Sequence, residues 1–150
     1  DTIVSLSLDE DKIRQFKNGV SDLSKLNTEL NALLQEHDRW QLAEGDLRII
    51  HMDSGQFMED LEAAWPQLKS LTAPLYEHNA EQWASDFGTD SNRLENALAA
   101  QDLPKVKNIF RRYRRAAGLR FFEVDVKLKI LCSNLRSVGD PLVSVLKMIE

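Results

Sequence analysis

One cysteine, four prolines, six scattered glycines and three histidines leave this 150-residue chain poor in the residue types that build most metal centres, phosphate loops and disulfide scaffolds. Cys132 alone excludes an internal disulfide framework and a multi-cysteine metal cage. The residues three before His37, His51 and His78 are Leu34, Arg48 and Leu75, so the Glu-x-x-His pairs of a helical di-iron site are missing. Neither HExxH nor two histidines four apart occurs. The glycines form no GxGxxG or GxxxxGK pattern, which removes the usual phosphate-cradling loops. No apolar run approaches the roughly 18 to 20 residues that cross a bilayer. Strand alternation is equally scarce: Ile3 to Leu8 alternates for only six residues.

What the chain has is helical periodicity. Apolar residues make up 43% and charged residues 29%, the ordinary balance of one compact domain. The chain opens on Asp1 and keeps apolar helical spacing up to Glu150, so residues 1–150 are expected to be a single domain cut from a longer, cytoplasmic protein. The expected fold is all-α: a bundle of four or more helices, with two long helices at about 8–43 and 103–138, a proline-kinked middle helix and a short C-terminal helix.

Ser7 and Glu10 fit a capping box that starts the first long helix. Ile13, Phe16, Val20, Leu23, Leu30, Leu34 and His37 then step by three and four, widened by Leu26, Leu33 and Trp40, to an end near Glu44-Gly45. Asn27 falls on that seam, where a buried amide fixes register only if paired. Leu47 to Met52 is left open as a helical turn or an extended link. The middle helix starts near Asp53 or Ser54 and carries Phe57, Leu61, Ala64, Leu68, Leu71 and Leu75, less regularly continued by Ala80, Trp83 and Phe87. Pro66 and Pro74 kink or divide it. Gly88-Thr89-Asp90-Ser91 reads as a stop and a cap, leaving Leu94, Ala97 and Leu98 on a short helix.

Asp102 caps the second long helix, with Pro104 in its first turn where the missing N–H is harmless. Val106, Phe110, Tyr113, Ala117, Phe121, Val124, Leu128, Leu131, Leu135 and Val138 form its main stripe. Leu119, Phe122, Val126 and Ile130 lie roughly opposite, so its second half is expected to be the enclosed one. Gly139-Asp140-Pro141 ends it, before a short helix with Leu142, Val145, Leu146 and Ile149. His37 is expected at the core edge with a local partner, and Cys132 as a small core residue. Glu59, Asp60 and Glu62 fall on a solvated face of the middle helix.

Charge is divided unevenly. Residues 1–100 carry 8 Lys/Arg against 19 Asp/Glu, whereas residues 101–150 carry 11 against 5. The net charges, −11 and +6, attract each other. The positive half concentrates in Lys105, Lys107, Arg111, Arg112, Arg114, Arg115 and Arg120, the candidate partner-binding residues. Two uses compete for them: ion pairs to the acidic helices, or a grip on phosphates, acidic lipid headgroups or an acidic protein surface.

The stretch Phe122-Glu123-Val124-Asp125, Leu128, Leu131-Cys132, Leu135 and Gly139-Asp140-Pro141-Leu142 resembles helical segments of bacterial multidomain signalling proteins that carry caspase-like (CHAT) or STAND ATPase modules. The resemblance implies an accessory, associating helical domain and supplies no catalytic residues. The leading expectation is a non-catalytic protein-interaction or regulatory domain without cofactor or metal. Its partner would be another protein, flanking domains of the same chain or a second copy, ahead of nucleic acid or membrane. A small-ligand-binding sensor bundle and an anionic-surface binder are the alternatives.

Overall fold

The computed structural model describes residues 2–149, with side chains at Glu10, 13–141 and Val143. It is all-α: α1 (Thr2–Arg48), α2 (Phe57–Tyr76), α3 (Gln82–Ala99) and α4 (Leu103–Ile149), with no strand among the described residues. Two helices of 47 residues frame two of 20 and 18.

Helix ends depart from the expected ones at four places. First, α1 begins at Thr2 instead of the Ser7 cap, and it runs through Gly45 to Arg48. Gly45 costs about 1 kcal/mol against alanine in a helix, but burial of Ala43, Leu47 and Ile50 around it holds this end in place. Second, Pro66 and Pro74 both sit inside an unbroken α2. Pro74 cannot donate to the Ser70 carbonyl, and Arg39 Nη1 of α1 donates to that oxygen at 3.4 Å.

Third, Gly88 to Ser91 lies within α3, which already begins before Trp83 and Phe87. The Thr89 and Ser91 hydroxyls donate back to the Ser85 and Phe87 carbonyls, both at 2.9 Å, a bonding mode that a helix interior accommodates. Gly88 serves packing: a Cβ there would stand 3.0 Å from Tyr76 Cδ2 on α2. Fourth, Gly139-Asp140-Pro141 does not stop α4, and no separate C-terminal helix forms. A helix nucleated many turns upstream survives the loss of one hydrogen bond. The side chains of Leu142, Val145, Leu146 and Ile149 lie outside the described residues.

The corner between α3 and α4 follows from local chemistry. Asp102 N–H donates to Ala97 O and Gln101 N–H to Leu98 O, both at 3.1 Å, closing α3 in a Schellman motif with Gln101 at φ 55°. The Asp102 carboxylate then accepts from Lys105 N–H at 3.3 Å and caps α4, as its sequence indicates.

The chain forms two compact units. Gln35–Asp125 is a four-helix unit whose buried residues come from every helix: Trp40 and Leu47, then Phe57, Leu61 and Leu68, then Phe87 and Leu94, then Val106, Phe110 and Tyr113. Aromatic rings link them. Phe87 stacks on Tyr113 at 4.6 Å and meets Trp40 edge-on at 5.4 Å, while Phe57 meets Phe110 at 5.4 Å and Trp65 meets Tyr113 at 5.7 Å. Such pairs add about 0.5 to 1.5 kcal/mol each beyond the area they bury. Because α2 and α3 cover the first half of α4, that half is the enclosed one, the reverse of the expectation. Leu119 and Phe122 are 56% and 65% exposed, and Val126 and Ile130 are exposed as well.

The second unit consists of the described parts of Asp1–Leu34 and Val126–Glu150. Its helices run antiparallel: grooves between them are lined by Leu26 with Asn134, and by Gln15 with Pro141. Phe16, Leu23, Leu26, Leu30 and Leu33 of α1 are half-buried, facing half-buried Leu128, Leu135 and Val138 and buried Leu131 of α4. Two helices alone leave each other's flanks uncovered. Ile13, Val20 and Leu34, expected on the seam, are therefore exposed, and Asn27 shares their seven-residue line in solvent. Cys132 is exposed, not a core residue.

Candidate functional site

The seven cations named from sequence occupy the first half of α4, within the four-helix unit. Buried Val106, Ile109, Phe110, Tyr113 and Ala117 fix which side of this helix faces the core. At 100° per residue, Asn108, Arg111, Arg112, Arg115, Leu119 and Phe122 then fall on the opposite side, with Lys105 on one flank and Lys107 and Arg114 on the other. The residues opposite the core and Lys105 are exposed, and Lys107 and Arg114 are intermediate.

The structure divides the cations by use. Arg120 is committed to the interior of the unit: its guanidinium carbon stands 3.9 Å above the Trp83 ring, it pairs with Glu123, and its Nη2 lies 3.8 Å from Glu36 of α1. Only 12% of its side chain is exposed. Arg112 pairs with Asp90 of α3 at 3.2 Å, while most of its side chain stays in solvent. Lys105, Lys107, Arg111, Arg114 and Arg115 form no ion pair among the described residues. Of these seven cations, two arginines are thus used internally and five are left open among the described residues.

Two surfaces result. Toward the start of α4, Arg93 of α3 joins Lys105, Asn108, Ile109, Arg111 and Arg112 around an open depression of about 670 Å³. Farther along, Arg115 adjoins exposed Leu119 and Phe122. Arg93 is the site residue that sequence spacing misses, since only the fold of α3 against α4 brings it there. Its signal lay in the i,i+3 relation to Asp90, whose Oδ1 stands 4.0 Å from Arg93 and 3.2 Å from Arg112.

His37 sits at the core edge, its Nε2 3.2 Å from Asp125 Oδ1 and its ring 5.1 Å from Phe121. Glu59 and Glu62 face solvent on α2, with Asp60 partly covered. Among the described residues, no three His, Cys, Asp or Glu side chains converge as metal ligands, and no helix is long and apolar enough to cross a membrane. No protein-family model, no curated protein and no solved structure matches this chain.

Proposed function

We propose that this chain is a non-catalytic helical interaction domain of a larger cytoplasmic signalling protein, and that the outer face of α4 in its four-helix unit docks an amphipathic helix of a protein partner. The carrying observation is the adjacency of an uncommitted arginine, Arg115, and two large exposed apolar side chains, Leu119 and Phe122, on one helix face. Leu119 and Phe122 together offer an apolar anchor of the kind that dominates helix-in-groove contacts. Arg115, one turn before Leu119, selects a partner whose apolar stripe continues into an acidic segment, because like charge there is repelled and opposite charge is steered in.

Anisotropy of a labelled helical peptide with a leucine stripe leading into a glutamate run tests this reading. The peptide should bind saturably, weaken by roughly tenfold or more with Phe122→Asp, and lose part of its salt dependence with Arg115→Gln. A peptide of the same composition with the stripe scrambled should not bind. Equal binding of the two peptides, or no effect of Phe122→Asp, would rule the face out.

A further inference from the structure

The depression between α3 and α4 has its own chemistry. Its lining brings three guanidinium groups and one ammonium, from Arg93, Lys105, Arg111 and Arg112, together with the Asn108 amide, and includes no carboxylate. Spacings of three and four residues put Lys105, Asn108 and Arg112 on one line of α4, and Arg93 reaches the depression from α3. Asp90 stands behind it, one oxygen shared by Arg93 and Arg112. That carboxylate offsets one of four positive charges and holds two guanidinium groups in place without filling the space between them.

We propose that this depression binds a phosphate monoester group. Four cations confined to one depression suit a compact dianion, since guanidinium groups grip phosphate oxygens in pairs and the ammonium adds a point charge. The Asn108 amide supplies a neutral donor to a further oxygen. A nucleic-acid backbone spreads single charges along a track and would need cations in a row, whereas here they surround one space and Ile109 lies at its floor, almost fully buried. The assignment stands apart from helix docking at Leu119 and Phe122, because none of the lining residues is apolar except Ile109.

Isothermal titration at constant ionic strength tests it, with O-phosphoserine, a short phosphoserine peptide and a single-stranded oligonucleotide as probes. O-phosphoserine and the peptide should both saturate, the peptide more tightly if the group is presented by a protein and no more tightly if it is presented by a metabolite. Arg93→Gln and Arg111→Gln should each weaken binding by roughly tenfold, while Lys107→Gln, outside the depression, should leave it unchanged. Circular dichroism confirms that each variant is folded before titration. Absence of saturation by either monoester, binding of the oligonucleotide alone, or an equal loss in Lys107→Gln would each overturn the proposal.

Discussion

The Tyr113 hydroxyl donates to Thr72 Oγ1 at 3.2 Å, because the threonine's own proton is already given to the Leu68 carbonyl at 2.8 Å. Both side chains are fully buried, in the middle of the aromatic cluster of the four-helix unit. Burial pushes the Tyr113 phenol well above its ordinary value near 10.

The consequence for stability has a definite sign. Above about pH 10 the unfolded chain releases the Tyr113 proton while the folded chain keeps it, so the folded state binds more protons and stability falls as pH rises. The contribution is complete below about pH 10 and declines by about 1.4 kcal/mol per pH unit above it, until the folded phenol also ionises. Tyr113→Phe should cost about 1 kcal/mol at neutral pH through the lost hydrogen bond, and should flatten the alkaline limb relative to the parent. Urea midpoints measured from neutral to alkaline pH check both; parallel alkaline limbs would mean that the phenol is not buried in solution.

Two phenylalanines should separate cleanly. Phe87 touches Trp40, Tyr76 and Tyr113 in the core, so Phe87→Ala should destabilise by about 3 to 5 kcal/mol. Phe122 is 65% exposed, so Phe122→Ala should cost less than about 1 kcal/mol. Denaturant titration of the two variants decides the matter. A large loss at Phe122 would show that something covers it.

Gln101 holds the left-handed conformation at the α3 terminus, with φ at 55°. Its side chain donates to the Leu98 carbonyl at 3.1 Å and to Glu62 of α2. A β-branched residue tolerates that backbone poorly, so Gln101→Val should destabilise by roughly 1 to 3 kcal/mol. Gln101→Gly relieves the backbone while losing an exposed hydrogen bond, and should stay within about 1 kcal/mol of the parent. Thermal melts of the pair distinguish backbone strain from side-chain bonding.

The main stripe of α4, from Val106 to Val138, was legible in the sequence because its spacing holds over so many turns, and its residues are buried or half-buried in the structure. Asp102 was legible as a cap for the same local reason. What could not be read was how many neighbours each stretch acquires. Phe122, Val126 and Ile130 have the spacing of a second core face, but α2 and α3 pack on the other half of the helix, and periodicity carries no information about that. Gly88 and Pro74 mislead in a related way: each is a breaker by intrinsic preference yet lies inside a helix, where Gly88 leaves room for the Tyr76 ring and Arg39 donates to the carbonyl that Pro74 cannot serve. The α4 cations were visible as a run, whereas Arg93 needed the α3 to α4 corner to place it.

The close approach of Tyr76 to Gly88 has an evolutionary corollary. With the ring edge 3.0 Å from where a Cβ would stand, an alanine at 88 requires the ring to give way by a few tenths of an ångström, and the ring is itself held against Phe87 at 5.5 Å. A smaller residue at 76 would lift that restriction. Among descendants of a common ancestor, glycine at 88 should therefore accompany an aromatic at 76, and chains that have lost the ring should be the ones free to carry a side chain at 88, so that the two positions drift as a pair.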